Sequence, residues 1–273
     1  MITFVSKGFW MGIKNSSLYF MTVLAVIAMF SFNNYALAET GGENPLTKTF
    51  EAHGGLDKWA GKGTMIYTLE GFPLTPQVAK PNTSTVDLKN RYNLIEGEGF
   101  TVGFNGQNAW AVPGPDAVGL PPRFFNLRSF YFIGMPFVFG DQGTVATDAG
   151  TVSFKAKSYR AVNIGYQKGT GYTSKDDYVL LIDPDTQRLA LIHHSVTENA
   201  DVDRVTWVFD EWQEVEGLLV PAVLTFYPGW NPDEPGEGFV TVVKNVSFSD
   251  DSPDSSIYNP PNEAVLNDSP EVH

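Results

Sequence analysis

The chain has 273 residues and a net charge of −13, with 31 acidic against 18 basic side chains and no cysteine. The acidic balance argues against binding to nucleic acid or to an anionic membrane surface. The lack of cysteine excludes thiol catalysis, a disulfide framework and a lipid-attachment cysteine. Twenty phenylalanines are more than a small core needs, and they predict a large apolar interior or a lined cavity.

The first 38 residues have the parts of a secretory signal peptide. Two lysines give a basic start, Leu18 to Phe32 is an apolar run, and Ala36-Leu37-Ala38 is a small-residue cleavage signal. We expect cleavage before Glu39 and a periplasmic or secreted protein. An uncleaved membrane anchor is the alternative, although the apolar run is shorter than the ~20 residues that a spanning helix needs.

Two short helices are predicted next. Asn44-Pro45 has the cap and first-position residues of a helix start, and Gly54-Gly55 ends that helix in a left-handed conformation. His53 is either a ligand or base, or a cation favoured by the dipole at the helix C-terminus. Leu56 to Ala60 forms a second helical turn that buries Trp59.

Short strands with turn signals between them follow from Thr64. Residues 84–96 read as one bent strand or as two, after a proline-rich loop. Asn105-Gly106 predicts a hairpin whose second strand, residues 107–112, carries Trp110. Consecutive strands with short turns predict antiparallel pairing.

Residues 121–139 differ from the rest, because their apolar side chains fall almost all round a helical wheel. Such a helix is buried, and Pro136 is expected to kink or end it. Its polar residues and its length exclude a membrane span. The helix either covers an apolar concavity or is an ordinary core helix, and the sequence leaves both open.

A loop over 140–150 and two strands lead to an antiparallel meander from Asp177 to Tyr227. Its strands are rich in β-branched and aromatic residues, and apolar residues occupy both faces of several of them. Such a sheet has to be covered, or has to curl around something apolar. A last strand ends near Phe248, and the polar, proline-rich end is expected to be a partly ordered tail.

Catalytic signatures are mostly missing from the sequence. His193 and His194 are adjacent, so on a regular strand they point to opposite faces and do not share one metal ion without further ligands. Asp201 and Asp203 are the nearest approach to a calcium loop, but the pattern is weak. We therefore predict no metal and no cofactor.

The order of parts resembles a known family. His53-Gly54-Gly55 precedes Trp59, a strand runs into Asp183-Pro184-Asp185-Thr186, and a later strand ends in Gly217-Leu218-Leu219-Val220-Pro221. These segments are similar to an uncharacterised family of secreted bacterial proteins whose fold resembles the periplasmic lipoprotein carriers LolA and LolB. The resemblance implies a mainly β (α+β) fold: one curved antiparallel sheet that forms an unclosed β-barrel, with an N-terminal helix and the aromatic helix over its concave face.

Residues 39–262 are expected to form this single half-barrel domain, between the signal peptide of residues 1–38 and a flexible tail of residues 263–273. The resemblance implies a non-enzymatic carrier of an apolar small molecule, an acyl chain, a lipid or an envelope lipoprotein, acting as a monomer. A secreted hydrolase with carboxylate or histidine residues assembled in three dimensions, and a structural or interaction protein of the envelope, are the alternatives. The predicted ligand-binding residues are Phe124, Leu127, Phe130, Tyr131 and Met135 on the aromatic helix, with Trp110 and Trp207 on the sheet.

Overall fold

The computed structural model describes residues 44–167, 170, 176–196, 204–229 and 231–267. The expected signal peptide and the Asp201–Asp203 pair lie outside these ranges. The described residues form one antiparallel sheet of 13 strands that does not close, with three α-helices and three short 3-10 turns. The predicted mainly β, unclosed architecture is confirmed.

The helices are α1 (Thr47–Ala52), α2 (Leu56–Gly61) and α3 (Pro122–Ile133). The strands are β1 (Thr64–Glu70), β2 (Asn82–Asp87), β3 (Tyr92–Gly97), β4 (Phe100–Phe104), β5 (Ala109–Val112), β6 (Thr144–Phe154), β7 (Lys157–Tyr166), β8 (Tyr178–Ile182), β9 (Leu189–Ser195), β10 (Arg204–Val215), β11 (Leu218–Tyr227), β12 (Phe239–Ser249) and β13 (Val265–Asn267).

Two meanders make up the sheet, and one long-range pairing joins them. Strands β1 to β5 follow one another in space, as do β6 to β12. β12 returns beside β1, where Met65 lies opposite Phe248 and Leu69 lies opposite Val243. The strand order is therefore β13-β5-β4-β3-β2-β1-β12-β11-β10-β9-β8-β7-β6.

Alternation along the strands separates an inner from an outer apolar face. On β1 the fully buried Met65, Tyr67 and Leu69 belong to the main core, whereas Ile66 between them is 37% exposed. A smaller outer cluster extends across the neighbouring strands β6 to β9, around Phe154, Leu181 and Leu191. The apolar residues predicted on both faces of the meander are thus divided between two clusters.

The N-terminal helices dock on the β10–β11 turn. Gly54 and Gly55 both have positive φ, as the predicted helix stop requires. The His53 carbonyl oxygen then accepts a hydrogen bond of 2.8 Å from the Leu219 amide. From α2, the buried Trp59 ring stacks on Phe137 at 4.7 Å between ring centroids. This docking ties the start of the described chain to the middle of the sheet.

Four boundaries differ from the sequence-based expectation. α1 begins at Thr47 rather than at Asn44-Pro45, because Leu46 occupies the N-cap position and Asn44 Oδ1 accepts from the Leu46 amide before the helix starts. β6 begins at Thr144 inside the segment expected to be a loop, because an edge strand with few buried residues shows no apolar alternation. α3 ends at Ile133, before Pro136, and a 3-10 turn over Phe137–Gly140 takes up the remaining aromatic residues. β13 pairs with β5 beyond residue 262, so the sheet reaches into the segment expected to be a tail.

Candidate functional site

The helix α3 is attached to the sheet by buried polar contacts as well as by aromatic packing. The Asn126 side-chain amide donates to the Asn93 carbonyl at 2.9 Å, and the Asn93 amide donates back to the Asn126 carbonyl at 3.2 Å. Arg123 donates to the Gln107 carbonyl at 2.7 Å. These contacts hold the N-terminal half of α3 on β3 and on the β4–β5 turn.

We expect Asn126→Ala to lower the free energy of unfolding by about 2 kcal/mol, because one hydrogen bond is lost and the buried Asn93 carbonyl loses its donor. Urea denaturation followed by tryptophan fluorescence measures the change. Asn163→Ala is the matched control, since Asn163 is exposed on β7. Equal stability of the two variants would show that α3 is not held by this pair.

A cavity of about 220 Å³ lies beside α3, between this helix and the β3, β6, β7 and β8 strands. Its wall is mostly apolar and aromatic, and the sheet and the segment after α3 supply the remainder. The lining residues are Arg91, Asn93, Asn126, Leu127, Arg128, Phe130, Tyr131, Phe132, Val138, Asp141, Thr144, Tyr166, Thr170 and Tyr178.

Three polar cross-links surround this cavity. Arg91 pairs with Asp141 at 2.5 Å, and Arg128 on α3 pairs with the buried Asp176 at 3.4 Å. The third is a hydrogen bond between the hydroxyls of two tyrosines, Tyr131 on α3 and Tyr166 on β7. Burial raises the pKa of both tyrosines well above the usual value, so both hydroxyls keep their protons at neutral pH.

The Arg91 end of the cavity has hydrogen-bonding capacity that the described residues do not use. Arg91 Nη2 donates to Asp141, whereas Arg91 Nη1 and Thr144 Oγ1 are buried without a hydrogen-bond partner among the described residues. The Arg91 guanidinium carbon also lies 5.5 Å from the centre of the Phe130 ring. One end of a mostly apolar wall therefore holds an ion pair with hydrogen-bonding groups left unused.

The seven residues predicted to bind a ligand do not form one site. Leu127, Phe130 and Tyr131 line the cavity. Met135 is fully buried in the core, and Trp207 is buried there in a stack on Phe132 at 4.4 Å between ring centroids. A binding role is untested for all seven residues, and the cavity favours it only for Leu127, Phe130 and Tyr131.

Phe124 and Trp110 lie away from the cavity lining. Phe124 is half-buried on α3 and packs under the Arg128 guanidinium at 4.7 Å from the ring centre. Trp110 lies on the outer face, where it covers Gly103 and donates from Nε1 to the Tyr258 carbonyl at 2.8 Å. Trp110 is predicted to bind a ligand from the sheet, but its neighbour Ala111 belongs to the main core instead.

Sequence reasoning missed the polar residues of the cavity. Arg91 is the last residue of the β2–β3 turn, Asp141 follows the 3-10 turn, and Tyr166 ends β7, so each looks like an ordinary boundary residue. One sequence signal was nevertheless present. Tyr166 and Tyr178 stand at the two ends of the connection between two predicted strands, and diagonal neighbours on paired strands share a face; their ring centroids lie 6.2 Å apart.

The three histidines of the described ranges, His53, His193 and His194, are all buried. His53 is fully buried, its Nδ1 donates to the Thr49 carbonyl at 2.8 Å, and burial lowers its pKa to about 4. The interpretation of His53 as a helix-end cation is therefore wrong, because the folded protein holds it neutral. His193 and His194 point to opposite faces as predicted, and no metal-binding group of three or more His, Cys, Asp or Glu occurs among the described residues.

None of the helices in the described ranges has the length and apolar character needed to cross a membrane.

No protein-family model and no curated protein matches the chain. Solved structures do match it. A LolA superfamily protein from Nitrosomonas europaea has a TM-score of 0.47 at 9% identity, over 79% of this chain and 96% of that one. A DUF1329 family protein from Desulfovibrio piger has a TM-score of 0.40 at 12% identity, over 76% and 94%. The lipoprotein LppX of Mycobacterium tuberculosis has a TM-score of 0.23 at 11% identity, over 55% and 87%.

The predicted likeness to LolA-type proteins is confirmed as a structural match. TM-scores below 0.5 at these identities say nothing about the ligand, the activity or the partner of this chain.

Proposed function

We propose that this chain is a non-enzymatic binding protein or carrier of the cell envelope whose ligand is an amphiphile with a single acyl chain. It acts as one domain after removal of the signal peptide. The observation that carries the proposal is the apolar cavity of about 220 Å³ beside α3, with charged residues at one end. A pocket of this composition binds by removing apolar surface from water, and its few polar groups orient the ligand.

The size of the cavity selects among the apolar ligands considered. An engineered cavity of about 150 Å³ takes up the six carbons of benzene. By proportion, a volume of 220 Å³ holds about nine carbon atoms. One medium-length chain fits that space, whereas the several chains of a lipoprotein would require the core around α3 to open. The proposal is therefore one acyl chain.

Binding is tested with a series of straight-chain carboxylic acids of about four to twelve carbons, titrated calorimetrically into the mature, delipidated protein. Each buried methylene contributes about 0.8 kcal/mol, so affinity should rise about fourfold per added carbon. The rise should level off near nine carbons, when the cavity is full. No saturable binding, or an affinity independent of chain length, would end the proposal.

Two substitutions on α3 form a matched test of the location. Leu127 and Phe124 are both half-buried and three residues apart, but only Leu127 lines the cavity. We expect Leu127→Asp to weaken octanoic acid binding at least tenfold, because it places a carboxylate in the apolar wall. Phe124→Asp should leave the affinity within about twofold, provided that both variants unfold cooperatively. Equal losses in the two variants would place the ligand elsewhere.

A further inference from the structure

One end of the cavity holds a guanidinium whose donors are only partly used. Arg91 Nη2 donates to Asp141 at 2.5 Å, while the other terminal nitrogen, Nη1, is buried without a partner among the described residues. Arginine does not lose its proton in a protein, so this NH₂ group stays a cationic donor that neither the described residues nor bulk water satisfies. Leaving such a donor unmatched is costly.

A second unused group belongs to the same end. Thr144 starts β6, its amide donates to the Asp141 carbonyl at 3.2 Å, and its Oγ1 is also buried without a partner among the described residues. Both Arg91 and Thr144 line the cavity. The oxygen atoms of an amphiphile's headgroup could accept hydrogen bonds from Arg91 Nη1 and Thr144 Oγ1, while its chain occupies the apolar cavity.

Asp141 does not block this arrangement. Its side chain is 37% exposed, against 24% for Arg91. Asp141 can therefore turn toward water, which relieves the burial that raises its pKa, and release part of the guanidinium. The planar guanidinium matches the two oxygens of a carboxylate, and charge-assisted pairs of this kind are roughly twice as strong as neutral hydrogen bonds.

We propose that Arg91 and Thr144 form a headgroup subsite that selects amphiphiles with a carboxylate over neutral amphiphiles of equal chain length. The chain would lie along Leu127, Phe130 and Phe132, and the carboxylate would lie at Arg91. This inference rests on the proposed function, because it assigns the polar end of the same ligand.

Octanoic acid and 1-octanol are the probes, and calorimetry at pH 8 gives both affinities for the mature protein. The wild type should bind the acid at least tenfold more tightly than the alcohol. Arg91→Met removes the guanidinium but keeps an unbranched side chain, and it should reduce this ratio to about one. Asp141→Asn removes the competing carboxylate, and it should raise acid affinity severalfold with little change for the alcohol.

Lys80→Met is the matched control, because it removes one positive charge from an exposed ion pair with Glu98 away from the cavity. It should leave the acid-to-alcohol ratio unchanged. Equal affinities of the wild type for acid and alcohol would overturn the headgroup subsite and leave the acyl-chain proposal standing. Failure of both probes to bind would end both proposals. If Arg91→Met does not fold, the wild-type ratio and the Asp141→Asn result decide.

Discussion

Lowering the pH from 7 to 5 should reduce the free energy of unfolding by about 4 kcal/mol through two buried histidines. Burial lowers the pKa of His53 to about 4 and that of His194 to about 3. Each ring donates from Nδ1 to a main-chain carbonyl, of Thr49 at 2.8 Å and of Ser195 at 2.7 Å. Each Nε2 is buried without a partner among the described residues. The fold therefore holds both rings neutral.

The direction follows from proton binding. In the unfolded chain both histidines take up a proton below a pKa of about 6.5, whereas the folded chain excludes it down to about 4 for His53 and about 3 for His194. The unfolded state binds more protons between these values, so stability is full above pH 6.5 and falls as the pH drops. Each histidine contributes about 2 kcal/mol of this loss at pH 5. Asp141, whose pKa burial raises, acts in the opposite sense.

Urea denaturation at several pH values between 7 and 5 measures the loss. His53→Asn and His194→Asn place an amide nitrogen near the position of Nδ1 and remove the titration. Each variant should have about half the wild-type pH dependence, whatever its stability at pH 7. The carboxyls with lowered pKa values, Asp177, Asp183 and Asp254, titrate below this window. Unchanged pH dependence in both variants would contradict the assignment.

Gly54→Ala should lower the free energy of unfolding by about 3 kcal/mol or more. The Gly54 φ of +107° is one that L-residues rarely adopt, and an added Cβ would lie 2.2 Å from the Gly217 carbonyl oxygen. The Gly217 carbonyl is a backbone group, so it cannot move away from the added Cβ as easily as the end of a flexible side chain could. The α1–α2 turn would have to leave the β10–β11 turn, and the hydrogen bond from the Leu219 amide to His53 would be lost.

Gly55→Ala is the control that separates the two causes. Gly55 has a φ of +94° but nothing within 4 Å of an added Cβ, so only the backbone strain applies. That strain costs on the order of 1–2 kcal/mol. Thermal or urea unfolding of the three proteins gives the comparison. If Gly54→Ala and Gly55→Ala lower the free energy of unfolding equally, the contact with the Gly217 carbonyl does not contribute to the effect.

Many local elements could be predicted because their causes are local. The sequence predicts a meander that ends at Tyr227, a helix stop at Gly54-Gly55 and a hairpin turn at Asn105-Gly106, and the structure has each of them. Period-two alternation marks a half-buried strand, and glycine marks positive φ, without any knowledge of the rest of the chain.

The inner and outer faces of a strand could not be told apart in the same way. Alternation shows that Ala109 and Ala111 share one face of β5 and that Trp110 occupies the other. It does not say which face is inside. The structure places the small residue Ala111 in the main core, on the strand against which α3 packs, and covers Trp110 from outside with Tyr258.

The sequence by itself determined an acidic, strand-rich chain with a buried aromatic helix, because composition, turn residues and apolar spacing act over a few neighbouring positions. Only the tertiary structure decided the cavity. Arg91 and Asp141 are 50 positions apart in the sequence, and Tyr131 and Tyr166 are 35 positions apart. No local sequence pattern pairs them. These residues meet because β12 pairs with β1 and α3 packs against β3, β4 and β5. Such long-range contacts depend on the packing of the whole sheet.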